Sequence, residues 1–208
     1  MIVGVMATGD DGTAKKHSSL AKTVGAVVAR QGFHLLTGGG LGLMRVVGEE
    51  FLNTKPRMGK LISILRADGT AHLSGAWDEL GKLDCKEERP KPTKRIWKPN
   101  ADNKLAEILI RTHLPYSRDL GDHDLSRNHI NILTSDAVIF LPGGAGTFSE
   151  LQLAWEYDKP ILIFLGAYGS INGKAAQRIK AEFTDITVAD TEHGLSEWLF
   201  EQTKVHPG

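Results

Sequence analysis

The sequence predicts an α/β protein, a Rossmann-like, doubly wound and mainly parallel sheet with helices on both faces. Three observations carry this. Short apolar runs of strand length alternate with amphipathic stretches of helix length along the 208 residues. Strands separated in this way pair in parallel through right-handed crossovers. Two glycine-rich turns, at 38–42 and 143–146, fall where strands end, which is where such sheets receive ligands.

The elements follow in order. Ile2–Met6 opens as a strand, and Ser18–Gln31 is the first helix. His34–Thr37 is the second strand, Leu43–Leu52 the second helix and Leu61–Leu65 the third strand. Ile108–Arg111 is a strand, Leu125–Leu133 a helix and Ala137–Leu141 a buried strand. Thr147–Tyr157, Pro160–Leu165 and Gly173–Phe183 continue as helix, strand and helix. A weaker strand near Ile186–Val188 precedes a last helix at Leu195–Thr203. The length suits a single domain, 1–208, with a substantial core.

Residues 66–104 break the rhythm. They are polar and contain Pro90, Pro92, Pro99, Trp77 and Trp97, with the mixed run Lys86–Lys98. A connection this long reads as a solvated loop, a subunit contact or a lid over an anionic ligand, and it is where ligand identity would be decided.

Composition excludes several classes. Lys+Arg and Asp+Glu both number 25, so no global field recruits nucleic acid or anionic membrane. A single cysteine, Cys85, excludes an intramolecular disulfide and an all-cysteine metal site. Met1-Ile-Val-Gly-Val-Met enters a strand at once and no apolar run reaches spanning length, so a soluble cytoplasmic protein with no membrane partner is expected. Asp119, Asp122, His123 and Asp124 read as a polar turn before a helix rather than a metal site, and Asp10-Asp11-Gly12 as a loop over the ligand.

Function concentrates in Pro142-Gly-Gly-Ala-Gly-Thr-Phe-Ser-Glu-Leu151. Strand, glycine turn and helix succeed one another here, so bare amides and the positive end of a helix dipole can meet a phosphate. The amides of Gly143, Gly144, Ala145, Gly146 and Thr147 form the expected cradle, with Glu150 one turn into the helix. Thr147-Phe-Ser-Glu150 also fits a capping box, in which the glutamate only bonds back to the helix start.

The first cluster, Thr37–Met44, fails the dinucleotide fingerprint, since Gly40-x-Gly42-x-x is followed by Arg45 where a third glycine belongs. Neither cluster continues into the Gly-Lys-Ser/Thr of a Walker loop. Gly39, Gly40 and Gly42 remain as an anion-tolerant turn or a tight packing turn. Arg127 stands at a helix start after Ser126, a candidate N-cap, where a cation opposes the dipole unless something acidic faces it. It precedes Glu150 by 150 − 127 = 23 residues, a helix and a strand, so the path doubles back and the two can meet.

Pro-Gly-Gly-x-Gly-Thr-x-x-Glu, with this upstream arginine and an earlier Gly-Gly-Gly…Gly-Leu-Met, resembles the LONELY GUY superfamily of phosphoribohydrolases. These are often called lysine decarboxylase-like, and the superfamily also holds the molybdenum cofactor carriers. The resemblance covers roughly residues 2–65 and 105–165. It implies that Arg127 and Glu150 serve catalysis, that the 143–147 loop holds a 5′-phosphate, and that the protein is a homodimer or homotetramer. Apolar residues around much of the Thr147–Tyr157 helix agree with a partner subunit or with packing inside the chain.

The opening turn Ala7–Thr13 differs from the Cys-Gly-Ser-Ser-like turn of the plant hydrolases. Arg127-Asn128-x-x-Asn131 and the Ile-Val-Gly-Val-Met opening are similar to the carrier branch, which brings Asn128 into the candidate ligand site. Pro142-Gly-Gly-Ala-Gly is the hydrolase form of the loop.

Two functions follow. The first hydrolyses a nucleoside 5′-monophosphate to free base and ribose 5-phosphate. Glu150 stabilises the positive ribose or activates water, Arg127 holds Glu150 ionised, and no metal or cofactor is required. The second is a non-catalytic carrier or sensor that binds molybdenum cofactor or another phosphate-bearing, nucleotide-like ligand.

Overall fold

Seven strands pair in parallel in the order β4-β3-β2-β1-β5-β6-β7 in the computed structural model, which describes residues 1–66, 105–112, 114, 121–166 and 168–205. The strands are β1 (Ile2–Met6), β2 (His34–Thr37), β3 (Leu61–Leu65), β4 (Ile108–Arg111), β5 (Ala137–Phe140), β6 (Ile161–Ile163) and β7 (Ile186–Val188). Among the described residues the helices are α1 (Asp11–Arg30), α2 (Gly42–Asn53), α3 (Arg127–Thr134), α4 (Ala145–Glu156), α5 (Ala176–Glu182) and α6 (Glu192–Val205). The expected 66–104 lid, apart from Arg66, lies outside the described residues.

The predicted Rossmann-like fold is present. Alternating strand residues face two separate cores. Val3, Val5, Leu35, Leu61, Ile139 and Leu141 pack with α1, α2 and α6. Met6, Leu36, Ile62, Ile64, Val138 and Phe140 pack with α3, α4 and α5. Both faces are therefore covered, which is why these strands read as unbroken apolar runs. Each fully buried aliphatic side chain contributes about 1.5–3 kcal/mol.

The helix starts depart from the sequence reading. α1 begins at Asp11, seven residues before Ser18, because Asp10 caps it by accepting from the Thr13 amide at 2.7 Å. Asp10 to Gly12 is thus a helix start, not a loop over the ligand, and the missed turn ends at a kink at His17. α4 begins at Ala145 rather than Thr147.

Chain order reverses between β1 and β5, since β2, β3 and β4 lie to one side and β6 and β7 to the other. The crevice above these two strands is the topological switch point. α3 is seated beside it by a close approach: a Cβ on Gly4 of β1 would lie 2.2 Å from Ser135 Oγ, the hydroxyl that donates to the Asn131 carbonyl at 2.8 Å.

At the far edge Glu107 ties β4 to β3. Its carboxylate accepts from Arg57 at 2.7 Å, from the Leu61 amide at 2.9 Å and from Lys60 at 3.4 Å. Burial would raise this carboxyl, but those three donors outweigh it and hold it at about 2. Its folded value lies below its ordinary one, so its stabilisation is present above pH 4.5 and is lost as pH falls through about 2. Glu107→Gln is accordingly expected to lower the thermal midpoint at pH 7, and melting curves should show the deficit shrinking between pH 4.5 and 2. A deficit independent of pH would rule out the ion pair as its source.

Candidate functional site

Three loops meet over the switch point. Thr8, after β1, donates its amide to the Pro142 carbonyl at 3.2 Å and accepts at its own carbonyl from the Leu43 amide at 3.0 Å. The turn after β2, the turn after β5 and the end of β1 are thereby linked through one residue.

The two glycine turns are not equivalent. In the first, Gly38, Gly40 and Gly42 each have a packing reason. A Cβ on Gly38 would lie 2.7 Å from Arg127 Nη2, one on Gly40 would lie 2.4 Å from Met44 Cε, and one on Gly42 would lie 2.6 Å from the Thr8 carbonyl oxygen. Gly39 and Gly42 have φ of 66° and 62°, in the left-handed region that glycine enters freely. Close packing accounts for glycine at 38, 40 and 42, and the left-handed backbone for glycine at 39 and 42.

The second turn is open. Gly144 is the N-cap of α4, has no side-chain cap, and would carry a Cβ with nothing within 4 Å. The first intrahelical bond runs from the Phe148 amide to the Gly144 carbonyl at 3.1 Å, so the amides of Gly144, Ala145, Gly146 and Thr147 lack intrahelical acceptors. Gly144 and Ala145 are exposed and Gly146 half-buried, whereas the Thr147 side chain is buried against Gly143. Gly143 is held from below, donating to Ser170 at 3.0 Å and accepting from Asn172 at 2.8 Å. The loop is a rigid, uncapped helix start with a positive dipole end, able to receive an anion.

Arg127 begins α3, and Ser126 Oγ caps that helix by accepting from the Asn128 amide at 3.1 Å. The guanidinium does not form an ion pair with Glu150. Its Nη1 donates to the carbonyls of Gly38 and Ile64, at the ends of β2 and β3, and its buried Nε has no hydrogen-bond partner. The expected acidic counterpart is thus largely replaced by backbone carbonyls, with Glu150 acting through space. Burial lowers the Arg127 pKa, Glu150 opposes that shift, and nearby Arg66 adds to it.

Glu150 lies in the second turn of α4 and is 8% exposed. Its Oε1 accepts from Asn131 Nδ2 at 3.1 Å. The capping-box reading is overturned, because the helix starts at Ala145 and places Thr147 and Glu150 inside it. The expectation that Arg127 keeps Glu150 readily ionised is also corrected. Burial raises the carboxyl and dominates, and Arg127 and Asn131 only partly offset it.

Asn128, a candidate ligand residue, is buried and donates to Ser149 Oγ at 3.4 Å, bridging α3 to α4. The ring of His129 lies 2.6 Å from the Tyr157 hydroxyl. Among the described residues no group of three or more His, Cys, Asp or Glu is placed to hold a metal ion, and Asp119 lies outside them. Asn131 is the contact that sequence reasoning missed. Its spacing on α3, 131 − 127 = 4, puts it on the same helical face as Arg127, and that was the available signal.

Fold and crevice together define a Rossmann-like α/β protein with an open, uncapped helix start at its switch point. The chain belongs to the SLOG cluster4 family, whose model matches residues 1–77 and 96–193. The gap in that match, 78–95, falls within the 66–104 insert. The LONELY GUY-like superfamily resemblance read from Arg127 and Pro142–Glu150 is borne out at that level.

Similar folds include the molybdenum cofactor carrier protein of Chlamydomonas reinhardtii, with a TM-score of 0.66 and 22% identity over 98% of each chain. The molybdenum cofactor binding protein of Rippkaea orientalis gives 0.61 and 23% identity, over 96% of this chain and 95% of that one. DNA processing protein A of Helicobacter pylori, described as binding single-stranded DNA, gives 0.57 and 16% identity, over 97% of this chain and 80% of that one. No curated protein matches the sequence. Among the described residues no helix is long and apolar enough to cross a membrane.

Proposed function

We propose that the protein binds a small, phosphate-bearing, nucleotide-like ligand at the switch point, and that Glu150 there cleaves the N-glycosidic bond of a nucleoside 5′-monophosphate. The observation that carries this reading is Glu150 itself, a carboxyl 8% exposed and raised by burial, one turn beyond an open anion cradle. Perturbed carboxyls held beside a binding turn are the groups that acid–base chemistry uses.

The phosphate rests on the amides of Gly144 to Thr147, which directs the ribose along α4. As the bond from C1′ to the base breaks, its electron pair leaves with the base and positive charge grows on C1′ and the ring oxygen. Water adds at C1′ as Glu150 takes its proton, and Glu150 returns that proton to the departing base, which gives free base and ribose 5-phosphate and restores the carboxylate. Arg127, anchored on the Gly38 and Ile64 carbonyls, supplies a fixed positive charge that favours the carboxylate form of Glu150 at the start of that step.

The test is incubation with AMP and related monophosphates at high protein concentration, with chromatography for released base. Base release that depends on Glu150 is the expected outcome. No release from any monophosphate would sink the hydrolase reading.

A second reading is non-catalytic carriage of a pterin-type molybdenum cofactor as cargo. It is supported by the fold shared with the Chlamydomonas and Rippkaea carriers and by the open space at Gly144, where a phosphate group can approach the helix-start amides. The Gly144–Thr147 amides would hold that phosphate too. Molybdenum or pterin fluorescence copurifying under anaerobic isolation is its expected sign. A homodimer or homotetramer belongs to the same proposal, since Leu133 and Trp155 are half-exposed on α3 and α4, and sedimentation velocity reads it directly.

A further inference from the structure

Asn131 is fully buried, 0% exposed, with its two polar atoms in unequal situations. Nδ2 donates to Glu150 Oε1 at 3.1 Å, whereas Oδ1 is enclosed and accepts from nothing. A leucine would fill nearly the same volume and leave no unmet acceptor. An amide that serves only an ionised carboxylate needs just its donor, so the idle acceptor calls for a second role.

We infer that Asn131 is a positioning residue serving the Glu150 carboxyl in both of its protonation states. Its Nδ2 donates to the carboxylate, and its Oδ1 accepts from the protonated acid after a half-turn of the amide. This rests on the proposed reading that Glu150 exchanges a proton during turnover.

The placement supports it. Asn131 lies one helical turn beyond Arg127 on α3, so Glu150 is faced by a cation at one level and an amide at the next. Arg127 Nη1 engages the Gly38 and Ile64 carbonyls and no Arg127 nitrogen hydrogen-bonds Glu150, which leaves Asn131 as its direct hydrogen-bond partner among the described residues. The charge acting on Glu150 is Arg127 from α3, with Arg66 after β3 one step removed through Arg127. A fixed donor such as lysine would lock the carboxylate form and a fixed acceptor the acid form. An amide favours neither absolutely.

The test uses full-length protein labelled at the glutamate side-chain carboxyl, with Glu150 assigned from the signal missing in Glu150→Gln. Asn131→Leu is expected to raise the Glu150 titration midpoint by about one unit. Inorganic phosphate affinity should stay within about twofold, and the acid limb of the AMP pH–rate profile should move with the midpoint. In the unsubstituted protein, the Asn131 side-chain amide signals should shift with the same midpoint as the Glu150 carboxyl, which needs no Asn131 variant to fold.

An amide signal flat across the Glu150 titration overturns the inference, as does an unmoved midpoint in a folded Asn131→Leu. Failure of the hydrolase reading looks different, since absence of base release from every monophosphate leaves both titrations readable.

Discussion

Glu150→Gln is expected to lower base release from a nucleoside 5′-monophosphate by roughly 10²–10⁴-fold, the usual worth of a positioned acid or base. The amide keeps the shape and an acceptor for Asn131 Nδ2, so the α3–α4 contact survives. The proposed phosphate cradle consists of backbone amides of Gly144 to Thr147 and is untouched, so phosphate affinity should hold within about twofold. Full turnover in this variant would remove Glu150 from the chemistry.

The same substitution is expected to raise thermal stability. The folded carboxyl titrates above its ordinary value of 4.5 because burial penalises the charged form. Its favourable contribution is therefore complete below 4.5 and is lost as pH rises through the raised folded value. Calorimetry should find the variant's midpoint above that of the parent at pH 8, with the gap narrowing toward pH 4. A lower midpoint at pH 8 would contradict the burial argument. Gain of stability with loss of activity is the usual mark of a functional strained site.

Gly42→Ala is expected to cost about 3 kcal/mol, combining a left-handed backbone at a non-glycine residue with overpacking. Gly42 has φ 62°, and its Cβ would lie 2.6 Å from both the Gly9 carbonyl carbon and the Thr8 oxygen, which are backbone atoms that cannot turn aside. The clash sits where the Leu43 amide meets Thr8, so the α2 start would be levered away from β1. Gly144→Ala is the matched control. With φ −96° and nothing within 4 Å of the added atom, it should change stability by less than about 0.5 kcal/mol while crowding the cradle and weakening phosphate binding. Urea unfolding of the two variants separates the roles of the two turns; equal losses would show that the open loop is also a packing turn.

Much of the fold was legible because both faces of the central strands are covered. β1, β2, β3, β4 and β7 have the bounds read from their apolar runs, and β5 and β6 are shorter by end residues only. Helix starts were harder. Lys15, Lys16 and His17 interrupt any apolar period in the first turns of α1, and the Asp10 cap was the one cue. Glycines discourage helix in isolation, so Ala145 and Gly146 read as turn, whereas the chain leaving β5 enters α4 there.

In the site, Arg127 and Glu150 were legible from motif and spacing. The true anchors of Arg127 were not, because the carbonyls of Gly38 and Ile64 come from strands 127 − 38 = 89 and 127 − 64 = 63 residues away and carry no side-chain signature. Nor was the sign of the Glu150 shift, which depends on how completely α3 and α4 close over it.

Thr8 bridges Pro142 and Leu43 through its own main chain, so the mouth of the crevice is cross-braced before any ligand arrives. Little conformational entropy remains to be lost there on association. Capture by the Gly144–Thr147 amides should then run at the speed of encounter and desolvation, with single-exponential kinetics linear in ligand concentration and no slow rearrangement after it.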